Sequence, residues 1–374
     1  MAEKHHIAVD AYKPLSDQTD VGHNRWHEGI DPIAEVEQGD AVSFETLDAL
    51  DGQLGPGSEH ADVGGIDLGR VHPLTGPVYV KGAEPGDLLE IKLLDIEADP
   101  WENWGFTAEV PGFGFLQDIF TEPYLVHWQL VDHYYAESPQ IPGVRIPCSP
   151  FPGILGIAPS ESLRKLTTER EQNLIDEGGT CLPPDATGAI PGGAIAPEAL
   201  RTIPPRETGG NIDIKQLTPG SSLFLPVHAP GALVSAGDVH YAQGDCEACG
   251  TAIEIRSVLH LSFKVHKGEA ERRNIRFPQF SHSDYFAGTE IAVPRRFYAT
   301  TGMPIHSDGR NADGDLSLAA RNALLAMIEH LESRGYTRQQ AYALCSVAVD
   351  LRVSQVVDVP NFIVSALLPL DIFN

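Results

Sequence analysis

The sequence is poor in positive charge and in long apolar runs. Its 374 residues include 26 Lys and Arg against 52 Asp and Glu, which leaves a formal net charge of -26. Because nucleic-acid binding requires concentrated positive charge, this composition argues against a nucleic-acid partner. No apolar run approaches the ~20 residues that cross a bilayer, and residues 1–20 have no apolar core of a secretory signal. We therefore expect a cytoplasmic protein with no membrane partner.

Cysteine is also scarce. The five cysteines are an odd and sparse set for a chain of this length, which argues against a disulfide framework and predicts reduced thiols. Cys246 and Cys249 form a CxxC pair, but without a second pair they do not complete a four-ligand zinc site. We interpret them as two small residues beside a turn.

Short apolar or alternating runs separated by Gly, Pro and Asp extend from about Ala41 to Phe263. This pattern is typical of an antiparallel β-architecture. Glu84 to Asp87 contains a Pro-Gly pair between two such runs and predicts a turn between strands. Glu161 to Glu177 predicts a short helix. Gly178 to Gly210 lacks periodicity and predicts a long loop, either a lid over a site or a surface excursion.

The C-terminal hundred residues differ in kind. Apolar residues at helical spacing predict a helix over Leu316 to Arg334, and Thr337 is a suitable N-cap for a second one. Strands are expected at Val353 to Val359 and Phe362 to Leu367. The predicted fold is therefore mainly β with an α+β C-terminal part. We expect a jelly-roll-like β-sandwich over 1–265, carrying most of the site, and a smaller α/β subdomain over 266–374.

The densest group of chemically active residues lies between Ser235 and Glu247. Asp238 and His240 are two residues apart, so on an extended strand their side chains leave the same face and can converge on one ion. Three further polar residues follow at intervals of two, so they could also share one face: Gln243, Asp245 and Glu247. An imidazole with carboxylates suits zinc or another divalent transition metal better than calcium. The alternative interpretation is an ordinary surface turn with one histidine and several acids.

Weaker candidates lie elsewhere in the chain. Asn211 and Asp213 follow two glycines, so this segment could bind an amide or add a carboxylate to a metal. Asp48 and His72 are comparable candidates for substrate binding. Glu84 precedes a proline and could point into a cleft as an acid or base.

Several blocks together resemble the acetamidase/formamidase family. They occur in the family's order and are 44–49, 72–87, 150–158, 209–213 and 226–254, followed by the C-terminal helices. The resemblance implies hydrolysis of short aliphatic amides such as formamide and acetamide, and of cyclic amides in some members. It also implies a β-sandwich joined to a smaller α+β part, and a bound divalent metal. Cys246 stands where the family usually has a glycine.

These observations predict a metal-assisted amidohydrolase that acts on a small-molecule amide. We expect a divalent metal, zinc by preference, held by Asp238, His240 and Asp213. Glu247 or Asp245 would carry the proton, with Glu84 as a further catalytic candidate. The expected substrate-binding residues are Asn211, Gln243, His72 and Asp48.

Two alternatives stay open at this point. One is an amidase with a cysteine nucleophile, Cys148 or Cys246. The other is a non-catalytic β-sandwich module that binds a ligand through its acidic loop. We also expect a homo-oligomer, a dimer or larger, because an assembly would cover exposed sheet edges.

Overall fold

A computed structural model describes residues 3–131, 134–283 and 296–373 of the chain. Most of these residues lie in strands or in the loops that join them. The strands, numbered in chain order, are β1 Lys4–Ile7, β2 Gly22–His23, β3 Arg25–Trp26, β4 Ala34–Val36, β5 Ala41–Thr46, β6 Leu74–Val80, β7 Leu88–Ala98, β8 Trp104–Glu109, β9 Tyr124–Val131, β10 Tyr135–Ser138, β11 Ile141–Pro147, β12 Phe151–Gly156, β13 Leu200–Arg201, β14 Gly209–Asn211, β15 Ser221–Pro226, β16 Val234–His240, β17 Glu254–Ile255, β18 Ser257–His266, β19 Gln279–His282, β20 Phe297–Gly302, β21 Asp350–Gln355 and β22 Ile363–Pro369. The helices are α1 His60–Val63, α2 Glu161–Asp176, α3 Glu269–Arg273, α4 Leu316–Ser333 and α5 Arg338–Ala348, with 3-10 turns at Leu15–Asp17, Leu68–Arg70 and Leu370–Ile372.

Two large sheets share one hydrophobic core. The first has the order β1-β5-β18-β7-β15-β19. The second runs β11-β10-β9-β8-β17-β16-β12-β14, and β6 joins it by pairing with β16. Both sheets contribute buried side chains to the core, among them Phe44, Ile91 and Leu261 from the first and Trp128, Val239 and Ile255 from the second. The prediction of a mainly β protein is confirmed, and the jelly-roll-like arrangement stays a prediction.

Strand β18 illustrates why the sequence forms these sheets. Leu259, Leu261 and Phe263 are buried, whereas the residues between them are partly or fully exposed. This alternation places one face of the strand in the core and the other towards solvent. Strand β19 follows residue 265 and still pairs with β15 of the first sheet. The domain boundary at 265/266 therefore stays a prediction.

The C-terminal unit consists of the sheet β20-β22-β21, helix α4 and helix α5. The buried side chains of α4 recur at helical spacing, and Asp315 caps the helix by accepting a hydrogen bond from the Leu318 N–H. Thr337 caps α5 in a capping box with Gln340. Both predicted C-terminal helices are confirmed, and so is the helix predicted at Glu161, which ends at Asp176.

The long loop predicted over Gly178 to Gly210 is shorter in the structure, because β13 and the start of β14 lie within that range; the loop runs from the end of α2 to β13. It contains neither helix nor strand, and two side chains of the N-terminal region hold its backbone. Arg25 donates hydrogen bonds to the carbonyl oxygens of Asp185 and Thr187, and Asn24 donates to that of Gly188. The loop is thus fixed to the body of the protein, and its role as a lid stays a prediction.

None of the helices in 3–131, 134–283 and 296–373 combines the length and apolarity that a membrane crossing requires. All five cysteines lie in these ranges and are free thiols; Cys249 is buried and Cys246 is exposed.

Candidate active site

Strand β16 carries two of the predicted site residues, Asp238 and His240, and lies between β12 and β17. His240 is directly opposite Glu254 of β17. The neighbouring pair, Val239 and Ile255, belongs to the core between the two large sheets. Because successive side chains of a strand point to opposite faces, His240 and Glu254 lie on the outer face of the second sheet.

Five side chains converge at this place, and we call them the acid–histidine cluster: Asp213, Asp238, His240, Glu247 and Glu254. His240 Nε2 is their common neighbour. It lies 3.2 Å from Asp238 Oδ1, 3.4 Å from Glu254 Oε2 and 3.8 Å from Glu247 Oε1. Two groups of three ligand atoms are each compact enough to hold a metal ion: Asp213, His240 and Glu247, and Asp238, His240 and Glu254.

Loops rather than strands supply Asp213 and Glu247. Both residues have left-handed backbone conformations, with φ of 46° and 45°. Both side chains are partly exposed, whereas Asp238, His240 and Glu254 are buried. The open side of the cluster is therefore the side of Asp213 and Glu247.

The cluster is electrostatically unusual, because four carboxyl groups surround one imidazole. Burial raises the pKa of Glu247 and of Glu254 well above the ordinary range, and neighbouring carboxylates add to the effect. Burial also raises the pKa of Asp213 to about 7. Burial therefore disfavours the ionised forms of three of the four carboxyl groups, those of Asp213, Glu247 and Glu254.

The two strand residues Asp238 and His240 have the opposite shifts. Burial by itself would lower the pKa of His240, but the Glu254 and Asp238 carboxylates raise it well above its usual value. Burial by itself would raise the pKa of Asp238, but the His240 imidazole lowers it below its usual range. Each of the two side chains thus favours the charged form of the other.

Gln243 sets the orientation of His240. Its Oε1 accepts a hydrogen bond from His240 Nδ1 at 2.9 Å, and its Nε2 donates to the Asp213 carbonyl oxygen at 3.1 Å. With Nδ1 occupied in this way, His240 presents Nε2 to the carboxyl groups. The structure thus places Gln243, a predicted substrate-binding residue, behind the imidazole.

Strand β12 forms one wall of the site. The Phe151 ring meets the His240 ring edge-on, with centroids 5.1 Å apart. A Cβ on Gly153 would lie 2.6 Å from His240 Cε1 and 2.7 Å from its Nε2. Only glycine therefore leaves room for the imidazole at this position.

His72 lies beside the cluster. Its N–H donates to Thr202 Oγ1 at 2.8 Å, and the same oxygen is 3.1 Å from His72 Nδ1. Burial lowers the pKa of His72, and the Asp238 carboxylate opposes this effect. His72, predicted to bind substrate, is thus held neutral beside Asp238.

The other predicted residues lie apart from the cluster. Asp245 accepts a hydrogen bond from Gln216, lies 4.0 Å from Lys215 Nζ, and belongs to neither of the two ligand groups around His240. Asp48 accepts hydrogen bonds from the backbone N–H groups of Leu50 and Gly52. Glu84 is exposed in the turn before β7, as the sequence predicts for that turn.

Asn211, also predicted to bind substrate, is at the end of β14 and donates through Nδ2 to the Ile203 carbonyl oxygen. Its Oδ1 is buried and makes no hydrogen bond to the described residues. This oxygen is available to an amide N–H donor.

Sequence reasoning missed Glu254 as a site residue. It stands between Ile253 and Ile255 in a strand whose other residues are buried and apolar. A single acid in such a run is costly to bury unless it has a function or a partner, and this signal could have identified it. Thr202 was missed as well, because its contact with His72 joins residues 130 positions apart.

The cysteine alternatives fit the structure less well. Burial raises the pKa of the Cys148 thiol to about 11. The Cys246 side chain is exposed at the surface, but the protein packed around its thiol and the Asp245 and Asp350 carboxylates raise its pKa to about 12. A nucleophilic cysteine needs a lowered pKa, since the thiolate is the reactive form.

A serine–histidine pair lies in the same region. Ser235 Oγ and His23 Nε2 form a 2.7 Å hydrogen bond, but both residues are buried.

The donor set fits a divalent cation. Asp213 Oδ1 and Glu254 Oε2 are buried atoms that make no hydrogen bond to the described residues. One imidazole nitrogen and several carboxylate oxygens, with no sulfur, match zinc and related divalent metals. A cation would also neutralise the carboxylates that burial disfavours.

Comparison with known proteins gives a consistent result. The model of the acetamidase/formamidase family matches residues 8–374. An acetamidase of Mycolicibacterium smegmatis is 37% identical over 90% of this chain and 88% of that protein. A formamidase of Methylophilus methylotrophus is 34% identical over 98% of this chain and 93% of that protein. Among solved structures, a gamma lactamase from Delftia acidovorans has a TM-score of 0.93 at 36% identity, covering 99% of this chain and 93% of that one.

Proposed function

Because this chain belongs to the acetamidase/formamidase family, we propose that its acid–histidine cluster cleaves small carboxamides to a carboxylate and ammonia with the help of a divalent cation. The family and its acetamidase and formamidase relatives make the chain a hydrolase of carbon–nitrogen bonds in linear amides. The proposal of a bound cation rests on one observation: two groups of three ligand atoms, each compact enough to hold a metal ion, share His240.

His240 would hold the cation, either with Asp238 and Glu254 on the buried side or with Asp213 and Glu247 on the open side. The cation, zinc by preference, would supply Lewis-acid polarisation of the amide carbonyl and a lower pKa for a water molecule. The predicted ligands Asp238 and Asp213 thus belong to alternative groups that share His240, and Glu254 is added to the group of Asp238.

We assign the role of proton carrier to Glu247 rather than to Asp245. Glu247 is partly exposed at the open side of the cluster, its Oε1 lies 3.8 Å from His240 Nε2, and burial raises its pKa well above the ordinary range. It accepts a proton from the attacking water and donates one to the departing nitrogen. Asp245 is bound to Gln216 and belongs to neither ligand group.

The other residues of the site orient these groups. Gln243 fixes His240, Phe151 covers the imidazole, and Thr202 holds His72 near Asp238. Asn211 Oδ1 accepts the amide N–H of the substrate. Cyclic amides are a second substrate class, because a gamma lactamase is similar to this chain along nearly its whole length.

Replacement of Asp238 and His240 tests this proposal. His240→Ala and Asp238→Asn should each reduce bound metal and ammonia release from formamide, acetamide and propionamide. The loss of metal affinity and activity should exceed the roughly 10–100-fold loss that is typical when a residue hydrogen-bonded to a metal ligand is replaced. His260→Ala serves as a control, since that histidine pairs with Glu97 on another sheet. Unchanged metal content in both site variants would remove the assignment.

Assembly and location stay proposals as well. Phe297, Val357 and Val359 are exposed apolar residues of the C-terminal unit, which supports the predicted homo-oligomer. Light scattering of the purified protein tests the oligomer. The cytoplasmic location stays a prediction from composition.

A further inference from the structure

We propose that Asp350 of the C-terminal unit is a positioning residue for the acid–histidine cluster. It ties the loop that carries Asp213 to the loop that carries Glu247. This inference rests on the proposed function, since it concerns two groups to which a role was assigned above.

The positions of Asp213 and Glu247 depend on what holds their loops. His240 and Glu254 are fixed as partners in the ladder of β16 and β17, and Asp238 precedes them in β16. Glu247 lies in a loop outside this ladder, and the Asp213 N–H donates to the Gly153 carbonyl oxygen of β12 at the long distance of 3.3 Å. Side chains that must act together need support from outside the site.

Asp350 contacts both loops with a single oxygen. Its Oδ1 accepts a hydrogen bond from the Asp245 N–H at 3.1 Å, two residues before Glu247. The same oxygen forms an ion pair with Lys215 Nζ, two residues after Asp213. The Asp350 side chain is 13% exposed and that of Lys215 is 27% exposed, so solvent screens this ion pair less than a surface pair.

The Glu247 loop also rests on the backbone of the C-terminal unit. The Gly244 N–H donates to the Ser346 carbonyl oxygen at 2.8 Å, and the Leu351 N–H donates to that of Asp245 at 3.0 Å. A Cβ on Gly244 would lie 2.2 Å from the Val349 carbonyl oxygen, so the loop and the unit are in close contact. The side chain of Lys215 extends this anchoring to the Asp213 loop.

Charge removal on either partner should therefore loosen Asp213 relative to Glu247. Asp350→Asn keeps the size of the side chain and Lys215→Met keeps its length. We expect each variant to weaken zinc binding by the metal-free protein about tenfold and to lower kcat about tenfold, with KM changed less than about twofold. The double variant should lose less than the product of the two single losses, because both changes break the same ion pair while Asp350 also contacts Arg352 and Lys215 also lies 4.0 Å from Asp245.

A second Lys–Asp pair provides a matched control. Asp87 accepts hydrogen bonds from the backbone N–H groups of Glu84 and Gly268 and from Lys267 Nζ. It therefore resembles Asp350 chemically but does not contact either loop of the cluster. Asp87→Asn and Lys267→Met should change thermal stability and leave kcat and zinc affinity unaltered.

Zinc affinity is measured by titration calorimetry, and kcat and KM by ammonia release from acetamide. The proposal is overturned if the variants at Asp350 and Lys215 shift zinc affinity and kcat no more than the control variants do. A wild-type protein that neither binds zinc nor releases ammonia overturns the proposed function together with this inference. A fully active wild type with unchanged variants overturns this inference alone.

Discussion

At the scale of single residues, His240 decides what the site can do. It is the one imidazole among four carboxyl groups, and three carboxylate oxygens lie within 3.8 Å of its Nε2. Its other ring nitrogen, Nδ1, donates a hydrogen bond to Gln243 Oε1. The orientation of His240 therefore depends on Gln243.

Replacement of Gln243 tests this dependence. In Gln243→Leu, His240 Nδ1 loses its acceptor and the ring can rotate away from the carboxyl groups. We expect zinc affinity and kcat to fall about 10–100-fold, as is typical for a residue that orients a ligand. Gln129→Leu, an exposed side chain on β9, is the control. Equal kinetics for the two variants would contradict the orienting role.

Residue type and parity identified only part of the site. The spacing of Asp238 and His240 predicted that their side chains converge, and the structure brings them together, although Asp238 has a left-handed φ of 52° and not the extended backbone that the prediction assumed. The prediction that every second residue points to the same face does not hold beyond the strand, because Cys246 and Glu247 have positive φ angles of 122° and 45°. Alternation applies to extended backbone, so Glu247 shares a ligand group with His240 whereas Asp245 does not.

At the scale of elements, the register of β12, β16 and β17 builds the site. Strand β17 places Glu254 opposite His240, and β12 places Phe151 opposite the same residue. Such pairings join distant parts of the chain and are not encoded in local pattern, which is why Glu254 was missed. The helices α4 and α5 were predictable because their apolar spacing and caps are local signals.

Strand β12 gives a direct test at this scale. Gly153→Ala adds a Cβ that would lie 2.7 Å from both His240 Nε2 and the Asp238 carbonyl oxygen. Real contacts of this kind do not occur, so the imidazole or the strand must move, and we expect kcat to fall by at least about tenfold. Gly55→Ala is the control, because a Cβ there meets no atom within 4 Å. Full activity of Gly153→Ala would show that the imidazole lies elsewhere.

At the scale of the whole molecule, the C-terminal unit is part of the site's support. Helix α5 contacts the second sheet through buried hydrogen bonds: the Leu116 N–H donates to the Tyr342 hydroxyl, and the Cys249 N–H donates to Ser346 Oγ. Near this contact lies Glu109, which is buried and makes no hydrogen bond to the described residues. Its carboxylate adds to the effect of burial in raising the pKa of Cys249.

Glu109 makes stability depend on pH. Burial raises its pKa from 4.5 to about 9, so between these values the folded protein binds a proton that the unfolded chain releases. The contribution of Glu109 to the free energy of unfolding therefore falls as pH rises through this window. Glu109→Gln, which is always neutral, should be more stable than wild type near about pH 8 and similar to it near about pH 5.

Chemical denaturation at several pH values measures the difference between variant and wild type. Glu122→Gln, at an exposed position, controls for the loss of one negative charge from a chain of net charge -26. A Glu109→Gln difference that does not change with pH would show that this carboxyl is ionised in the folded protein.

The central claim is that a divalent cation at the acid–histidine cluster makes amide hydrolysis possible. The most direct measurement is ammonia release from acetamide by protein stripped of metal with a chelator, before and after zinc is added back. We predict that activity disappears with the metal and returns in proportion to zinc bound, and that His240→Ala shows no such recovery. Full activity of the stripped protein, with its metal content verified, would contradict the claim.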